Sequence, residues 1–574
     1  MKLTECAPKG VFKEYINTII SRQLLNKELW AKCVGVFSSG IDNPDDGWRG
    51  EYWGKMMRGA CLTYRVCPSE ELLETLTSAV NGLLSKQEKS GRISTYTADR
   101  EFRGWDMWSR KYVMTGLQHF YDICPDEALK EKIMTALTAH ADYIVEHIGA
   151  DRINILETGE FWGGVNSASI LEPFVRLYKD TKNEKYLNFA KYIISTGGCR
   201  DGNLIDSALG GLAPYQFPEQ KAYETMSFFE GLLAFYEVTG DETCLEAVKK
   251  FADKMLETDV TVIGSCGCTH ELFDNSAVMQ TEVTGKIMQE TCVTVTLIRF
   301  LSRLYAVTGD KRLTDVIRLA SMNALSGALN VNGFDQFSNE RKEYLKGLTF
   351  DSYSPLCDSK RGLGIGGFKT FADGTYFGCC ACIASAGFAL YPLMSVTEYK
   401  DGISVNYLLD GKYSFDIDGK KVTLSVKENK ITVNTEDKVE FTLRITTGDE
   451  YTSVSVKNAV DDNGFSVLCG EWSDGDEIVL NVENRLVEKK LNGKISLNYG
   501  GFALAADESK SSYKAGKKID FIRDADGKIR YKLCTPEAGE QVRIFAETTD
   551  GDLLLTDYSA AGQDGKSIVS VWFK

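Results

Sequence analysis

Histidine is scarce in this chain: its 574 residues include only His119, His140, His147 and His270. This count excludes a histidine-rich metal site. The first three histidines fall in helical patterns, where packing or a surface position is expected of them. A metal site in this chain would therefore have to be built mainly from thiols and carboxylates, and the sequence contains 16 cysteines and 81 acidic residues.

Three other shortages limit the class of protein. No run of eighteen apolar residues occurs, so the sequence predicts no membrane-spanning helix. The segment from Met1 to Pro8 lacks the apolar core of a secretion signal. The net charge of -15 disfavours binding to nucleic acid or to anionic lipid. We therefore expect a cytoplasmic protein with mostly reduced cysteines and with no nucleic-acid or membrane partner; whether it forms a homo-oligomer is left open.

What the chain does contain is a repeated helical pattern. Aromatic-ended segments finish at Tyr64, Tyr121, Tyr178, Tyr236, Tyr305 and Tyr391. The first intervals are about 57 residues, which is enough for two helices each. Counting a first helix near residues 11–33, the pattern predicts twelve helices in six hairpins. Six hairpins can close into an (α/α)6 barrel, although an open stack of hairpins fits the same period.

The tyrosine-ended helices are the candidate inner helices of such a barrel, with their N-terminal ends at one face. The residues near those ends are polar and aromatic, which suits sugar hydroxyls and stacking on a sugar ring. The candidate substrate-binding residues are Trp53, Trp105, Trp108, Arg110, Asn166, Tyr223, Glu224 and His270. For the tryptophans, simple packing in the core is the alternative.

After Tyr391 the hydrophobic pattern changes to a period of two, as in Val422-Thr-Leu424-Ser-Val426. Turn signals such as Asp474-Gly475-Asp476 separate these segments. The pattern predicts an all-β, sandwich-like region. We expect a barrel domain over residues 1–395, a β-sandwich over 396–505, and a second β-rich domain, or a continuation of the sandwich, over 506–574.

Two segments that each begin a predicted helix carry metal-ligand chemistry. Glu290 and Cys292 are two residues apart, and Cys379 and Cys380 are adjacent. Three thiols and one carboxylate can complete a tetrahedral zinc site, although buried structural thiols are the alternative. A second cluster, Cys266-Gly-Cys268-Thr-His270, either binds metal itself or forms a tight loop that turns the next residue, Glu271, toward the cavity.

These motifs resemble glycoside hydrolase family 127 and its relatives, which include bacterial β-L-arabinofuranosidases. The resemblance rests on Gln289-Glu-Thr-Cys-Val and the Cys379-Cys380 pair, and it extends to Gly264-Ser-Cys-Gly-Cys-Thr-His-Glu-Leu-Phe and to Asn498-Tyr-Gly-Gly-Phe. It implies an (α/α)6 barrel followed by β-sandwich domains. The expected fold is therefore a multidomain chain with a helical barrel and a C-terminal β-sandwich region.

The resemblance also implies a role for each residue of the motif. Glu290, Cys292, Cys379 and Cys380 match the ligands of Zn2+. Cys379 also matches the nucleophile, and Glu271 matches the proposed general acid/base. The implied reaction is retaining hydrolysis through a glycosyl-cysteine thioether, and the default product is β-L-arabinofuranose released from a small oligosaccharide or glycoside of plant type.

The sequence departs from the family pattern around the sugar. Ala381-Cys382-Ile383 follows the double cysteine where many members have Pro-Pro-Asn, and Arg110 and Tyr223-Glu224 stand where family histidines contact the sugar. Arg110 either recognises an acidic sugar or forms an ion pair inside the barrel. Two other functions stay open: a sugar isomerase or epimerase on the same barrel, and a non-catalytic carbohydrate-binding protein with a structural zinc.

Overall fold

A computed structural model describes residues 2–282, 289–330, 354–361, 378–400 and 402–574, together with the backbone of two short hairpins, 336–337 with 344–345 and 369–370 with 376–377. In this part of the chain twelve helices form the N-terminal domain. They are α1 (Val11–Ile19), α2 (Glu51–Val66), α3 (Glu70–Leu84), α4 (Asp106–Ile123), α5 (Glu127–His147), α6 (Leu171–Thr181), α7 (Glu184–Ser195), α8 (Ala222–Thr239), α9 (Glu242–Thr258), α10 (Thr291–Thr308), α11 (Lys311–Ala320) and α12 (Cys379–Ser395). Lys27–Gly35 follows α1 as a further outer helix, and shorter helices lie at Val165–Ala168, Leu204–Leu209, Ser276–Met279 and Ser326–Ala328.

The even-numbered helices form a closed inner ring. Each packs against the next along the chain, and α12 packs against α2 to close it. Glycine makes these close approaches possible: a Cβ at Gly54 would meet the backbone of Tyr112 on α4, and a Cβ at Gly59 would meet Ser385 on α12. The predicted (α/α)6 barrel is confirmed, and the open stack is not.

A glycine followed by an aspartate separates the inner from the outer helix in two of the hairpins. Gly240 ends α8 in the left-handed conformation, with φ of 73°. Asp241 then caps α9 by accepting hydrogen bonds from the backbone N–H groups of Thr243 (2.9 Å) and Cys244 (3.3 Å). Gly309 and Asp310 end α10 and begin α11 in the same way. The inner helices α8 and α10 thus turn back sharply into the outer helices α9 and α11.

Burial separates the two rings. Every residue of α8 from Ala222 to Phe235 is buried, whereas α9 buries one face and exposes the other. By length and composition, α10 is the single described helix that could cross a bilayer. Its position in the inner ring, surrounded by other helices, accounts for its apolar character.

The described strands of the C-terminal region form three main antiparallel-rich sheets. The first contains, in sheet order, Lys2–Pro8, Gly411–Ile417, Lys420–Lys427, Lys430–Thr435, Glu477–Asn484 and Thr452–Val456. The second contains, in sheet order, Val460–Asp462, Phe465–Trp472, Val439–Thr446, Gly402–Val405 and Val396–Tyr399. The third contains, in chain order, Ser359–Lys360, Leu486–Leu491, Lys494–Tyr499, Phe502–Asp507, Tyr531–Cys534, Arg543–Thr548, Gly551–Asp557, Ile568–Ser570 and Trp572–Phe573. Alternating residues of the first two sheets, such as Leu424 and Leu443, are buried in one core. These two sheets are the predicted β-sandwich.

The sheets cross the predicted domain limits in three places. The strand Ser359–Lys360, inside the range expected to be barrel, pairs with Ile568–Ser570 of the third sheet. The strand Lys2–Pro8, inside the range expected to be barrel, pairs with Gly411–Ile417 of the sandwich. The third sheet already begins at Leu486, and its strand Phe502–Asp507 spans the predicted limit at residues 505 and 506. The three-domain division with those limits remains a prediction.

The sandwich packs on the C-terminal ends of the inner helices. Tyr305, near the end of α10, donates a hydrogen bond to Asn406 Oδ1 at 2.6 Å, and Asn406 Nδ2 donates to the carbonyl of Met394 at 2.8 Å. Arg318 forms an ion pair with Asp449 at 2.6 Å. The β region therefore contacts the barrel at the C-terminal ends of α10 and α12 and at the outer helix α11. The N-terminal ends of the inner helices carry the site described next.

Candidate active site

A pocket of about 220 Å³ lies where the inner helices begin. Its lining is drawn from the first turns of α2, α4, α8, α10 and α12 and from the loops that precede them. The lining residues are Trp48, Glu51, Lys55, Trp105, Trp108, Trp162, Lys221, Tyr223, Glu224, Glu271, Glu290, Cys292 and Cys379. Helix N-termini carry partial positive charge, so this end of the barrel favours anionic side chains and ligands.

A larger cavity, of about 330 Å³, lies elsewhere, between the barrel and the sheets. Its lining holds no thiol among the described residues, and two of its carboxylates are already paired, Asp315 with Lys311 and Asp449 with Arg318. We therefore assign the chemistry to the smaller pocket, where thiols and carboxylates meet.

The structure brings the four predicted metal ligands together. One donor atom from each of Glu290, Cys292, Cys379 and Cys380 lies within 4.8 Å of all the others. The Sγ atoms of Cys292 and Cys380 are 3.5 Å apart, and Glu290 Oε1 lies 3.4 Å from Cys380 Sγ and 3.8 Å from Cys379 Sγ. Glu290 precedes α10 as its N-cap, and the two adjacent cysteines open α12. Two helix starts on neighbouring inner helices thus build one cluster.

The cluster fits a thiophilic divalent cation. Its donors are three sulfurs and one carboxylate, and Glu290 Oε2 is buried without a hydrogen-bond partner among the described residues. Burial raises the pKa of Glu290 far above its usual range, and Glu271 and Cys379 raise it further. Burial likewise raises the pKa of Cys292. These shifts favour the protonated form of both groups, whereas a bound divalent ion would favour their anions.

A buried lysine stands beside the cluster. Lys55 Nζ lies 2.9 Å from Glu51 Oε1 and 3.9 Å from Cys292 Sγ, and it sits 4.7 Å from the ring centre of Tyr223. Trp108 Nε1 donates to the other oxygen of Glu51. Burial raises the pKa of Glu51 to about 7, although Lys55 opposes the rise. This ion pair forms the side of the pocket next to the thiols.

The predicted acid/base, Glu271, lies in the loop after α9. Its backbone and that of His270 are left-handed, with φ of 66° and 52°, which non-glycine residues seldom adopt. The loop is tied to the start of α8: Ala222 N–H donates to the carbonyl of Glu271 at 2.9 Å, and Phe273 N–H donates to Gln220 at 2.8 Å. The Glu271 carboxylate pairs with Lys221 Nζ at the pocket surface.

The family described as "Beta-L-arabinofuranosidase, GH127 catalytic domain" matches residues 15–349 of this chain. The chain belongs to this family. It is therefore a glycoside hydrolase, and the family favours hydrolysis over the isomerase and the non-catalytic alternatives. The match includes Glu271, Glu290 and Cys292, whereas Cys379 and Cys380 lie beyond its end.

Solved structures of GH127 proteins share the whole fold. A GH127 β-arabinofuranosidase is 17% identical, with a TM-score of 0.71 over 99% of this chain and 94% of that one. A GH127 β-L-arabinofuranosidase from Geobacillus stearothermophilus T6 is 15% identical, with a TM-score of 0.69 over 100% of both chains. A search of the curated proteins finds no match. At such low identity these likenesses establish the fold of this GH127 member and not its substrate.

Four of the eight predicted sugar contacts line the pocket: Trp105, Trp108, Tyr223 and Glu224. Glu224 is buried, its Oε2 has no hydrogen-bond partner among the described residues, and burial raises its pKa to about 7. Tyr223 shares a hydrogen bond with Tyr112. In this GH127 member, an acidic and a phenolic side chain thus line the pocket at the positions where the sequence departs from the family histidines.

The structure does not place the other four at the pocket. Trp53 is fully buried between α2 and α4, so it is a core residue, which is the alternative given above for the tryptophans. Arg110 is paired with Asp106 at 2.9 Å and with Glu101, so it forms the ion pair inside the barrel rather than a sugar contact. Asn166 Nδ2 donates to the carbonyl of Gly104 at 3.0 Å. His270 is exposed on the outside of its loop.

The second cysteine cluster forms the tight loop. Cys266 and Cys268 are buried while His270 is exposed, so their side chains do not converge, and among the described residues they belong to no group that could hold a metal. Cys268 Sγ instead accepts a hydrogen bond from Gln289 Nε2 at 2.9 Å. Gly267 adopts a φ of 70°, which helps the chain turn before Glu271.

Sequence reasoning missed five residues of the pocket lining, which are Trp48, Glu51, Lys55, Trp162 and Lys221. A signal existed for one pair: Glu51 and Lys55 are four residues apart on a predicted inner helix, the spacing of an ion pair on one face. No local pattern marks Lys221 or Trp162, because their partners lie in other segments of the chain.

Proposed function

We propose that this protein is a zinc-dependent retaining exo-glycosidase with Cys379 as its nucleophile and Glu271 as its general acid/base. The single observation that carries the proposal is the cluster of three sulfurs and one carboxylate at the pocket wall, with all donor atoms within 4.8 Å of one another. The membership of the GH127 family, which makes the chain a glycoside hydrolase, supports it.

Zinc is the metal that suits these ligands best. Thiolate-rich, four-coordinate sites select zinc, whereas the harder magnesium and calcium ions take oxygen ligands. Glu290, Cys292, Cys379 and Cys380 would hold the ion. When bound, it supplies the positive charge that keeps Cys379 ionised at neutral pH and makes its sulfur a better leaving group.

Cys379 is the best nucleophile of the three cysteines because of its exposure. It lines the pocket and is partly exposed, whereas Cys380 is fully buried and does not line the pocket. Cys292 reaches the lining, but it is fully buried next to Lys55. A sugar bound against the tryptophans can therefore approach Cys379 with the least rearrangement.

The proposed reaction has two steps. Cys379 Sγ forms a bond to the anomeric carbon while the bond from that carbon to the leaving oxygen breaks, and Glu271 gives its proton to that oxygen. Glu271 then takes a proton from water, whose oxygen attacks the anomeric carbon as the carbon–sulfur bond breaks. The two inversions give net retention, and Cys379 and Glu271 return to their starting states.

The default substrate is a terminal β-L-arabinofuranoside or a related sugar in a plant-type glycan. Trp105 and Trp108 offer ring faces, and the unpartnered oxygen of Glu224 can accept a hydrogen bond from a sugar hydroxyl. Because Arg110 is already paired with two carboxylates, it does not support the acidic-sugar alternative. Below Trp108 and Lys55 the barrel is filled by side chains, so a terminal sugar fits better than an internal one.

Mass spectrometry of enzyme quenched during turnover tests this proposal. With 4-nitrophenyl β-L-arabinofuranoside in excess, we expect a pentose adduct on the peptide that contains Cys379. An adduct on a carboxylate, or undiminished turnover after complete removal of the metal, would contradict the proposal. If no furanoside or pyranoside is hydrolysed by enzyme that carries one metal ion, the chain binds carbohydrate without cleaving it.

A further inference from the structure

The ion pair between Lys221 and Glu271 is a feature of the pocket that the reaction above does not use. The two side chains are only 9% and 20% exposed, and Lys221 Nζ contacts Glu271 Oε2. Burial lowers the pKa of Lys221, but Glu271, Glu224 and Glu290 raise it, with a net rise. Lys221 is therefore a cation at neutral pH, directly beside the proposed proton donor.

Lys221 is held in place from several sides. It is the N-cap residue of α8, and its carbonyl accepts the N–H of Thr225 at 3.0 Å. Its own N–H donates to Glu219 Oε1 at 2.9 Å. Its Nζ lies 4.7 Å from the ring centre of Trp162, another residue of the pocket lining. An ammonium fixed in this way presents its charge at one point of the pocket.

Glu271, by contrast, is carried by a strained backbone. Consecutive non-glycine residues with positive φ cost of the order of 1 kcal/mol or more each, and they persist where surrounding contacts outweigh that cost. The backbone contacts to Gln220 and Ala222 flank Lys221 on both sides. The loop is thus anchored to the same short segment that supplies the lysine.

We propose that Lys221 is a positioning residue for Glu271, which aims the carboxyl group at the leaving oxygen and stabilises the carboxylate that remains once the proton has been transferred. The inference rests on the proposed function, in which Glu271 is the acid/base. In this role Glu271 carries its proton when the substrate binds, and the ion pair with Lys221 corresponds to the state after the proton has left. The positive charge is therefore worth more in the transition state than in the protonated ground state, because negative charge on Glu271 develops as its proton leaves.

A purely structural role for Lys221 makes a different prediction. If the ion pair only anchors the loop, its loss should lower the activity on all substrates alike. If Lys221 assists acid catalysis, its loss should matter mainly where the leaving group needs a proton. The second-order constant kcat/KM separates these cases, because it reports on the steps up to the first irreversible one and is independent of the later hydrolysis of the thioether.

The test compares Lys221→Met, Lys221→Arg and Glu271→Gln on 4-nitrophenyl and methyl β-L-arabinofuranosides, all with metal content and thermal midpoint checked. General acid catalysis contributes about 10²–10⁴-fold, so Glu271→Gln should lose about that much on the methyl glycoside and far less on the nitrophenyl one. Lys221→Met should show the same selectivity, with a loss of about 10- to 100-fold on the methyl glycoside and under about threefold on the other. Lys221→Arg, which keeps the charge, should recover most of the loss.

The outcomes separate a failure of the acid/base role of Glu271 from a failure of the positioning role of Lys221. If Glu271→Gln loses activity equally on both substrates, Glu271 is not the acid and the proposed function fails at that point. If Glu271→Gln is selective but Lys221→Met is not, the proposed function stands and the positioning role is overturned. If Lys221→Met is more damaging to the methyl glycoside than Glu271→Gln, Lys221 itself is the proton donor, and the positioning role is again overturned.

Discussion

The mouth and the interior of the barrel both bury acidic side chains, but Glu172 in the interior and Glu290 at the mouth have opposite surroundings. In the interior, Arg299 pairs with Glu172 at 2.8 Å and with Glu230. Although burial raises the pKa of Glu172, Arg299 and Arg303 lower it well below its usual range. At the mouth, burial and neighbouring acidic groups raise the pKa of Glu290. The same residue type, equally buried, is paired in one place and left among like groups in the other.

This difference shows where the charge of a buried acidic group is already balanced by the protein. An acidic group buried beside an arginine needs no ligand, because the charge is balanced within the protein. Three thiols and a carboxylate gathered at one point, with Lys55 as the nearest cation, call for protons or an added cation to balance further charge. The paired acids of the interior therefore contribute to the stability of the fold, while the cluster at the mouth could hold a metal ion.

The largest expected effect comes from removing the proposed nucleophile. Cys379→Ala should fold normally but lose at least about a thousandfold in kcat/KM, because the other thiol of the described lining, Cys292, is fully buried. Steady-state hydrolysis of an aryl glycoside measures the loss. The matched control is Cys382→Ala, three residues later on α12 and outside the cluster, which should keep its activity within about threefold. Retained activity in Cys379→Ala would move the role to another residue.

Removal of a ligand at the mouth should be the next largest effect. Cys292→Ser replaces a soft sulfur by a harder oxygen, so zinc retained after dialysis should fall from about one ion per chain to a small fraction of that. Elemental analysis of the purified protein makes the measurement. Cys268→Ala removes a buried thiol outside the cluster and should leave the metal content unchanged; equal metal in both variants would contradict the assignment.

Removing Arg299 tests whether the buried ion pairs of the interior stabilise the fold. Arg299→Met leaves Glu172 and Glu230 without their main partner, and removing one member of a buried ion pair costs about 3–5 kcal/mol of unfolding free energy. Denaturant or thermal unfolding should show this loss, while the zinc content stays near that of the native protein. Arg312→Met, which removes exposed pairs with Asp253 and Asp310, should cost less than about 1 kcal/mol. Metal loss in Arg299→Met would show that the two regions are not independent.

The smallest expected effect is a change in pH dependence from Lys111, on the interior side of Trp108. Burial lowers its pKa to about 7, although Glu230 opposes the fall. Between about pH 7 and its ordinary pKa near 10.5, the unfolded chain binds the proton and the native protein does not, so this lysine makes stability increase as the pH rises. Thermal midpoints of Lys111→Met should rise less between pH 7.5 and 9.5 than those of the native protein. Equal rises would mean that Lys111 stays charged in the fold.

Features that depend on local chemistry could be predicted from the sequence. Gly240-Asp241 and Gly309-Asp310 each end one helix and cap the next, and such repetition indicates helical hairpins. Glu290 and Cys380, two of the predicted ligands, could be recognised because each lies within a short motif at a helix start. In these cases the residues that determine the structure are neighbours in the chain.

Features that depend on distant partners could not be predicted. Trp53 and Trp108 both lie on inner helices, and only the packing of α2 against α4 makes one a core residue and the other a wall of the pocket. Lys221 and Glu271 are fifty residues apart. The strand Lys2–Pro8 pairs with residues more than four hundred positions away, and no local pattern indicates that register.

The closure of the ring by α12 has a consequence for how the protein is made. Residues 15–349 are the part that matches the GH127 family, but a fragment ending there would lack α12, with α2 and α10 no longer bridged. On the ribosome, five inner helices emerge before the sixth, so a wide apolar gap stays open until residue 395 has been synthesised. Such a nascent chain also lacks Cys379 and Cys380, so the cluster with Glu290 and Cys292 is completed only when the last inner helix has been made.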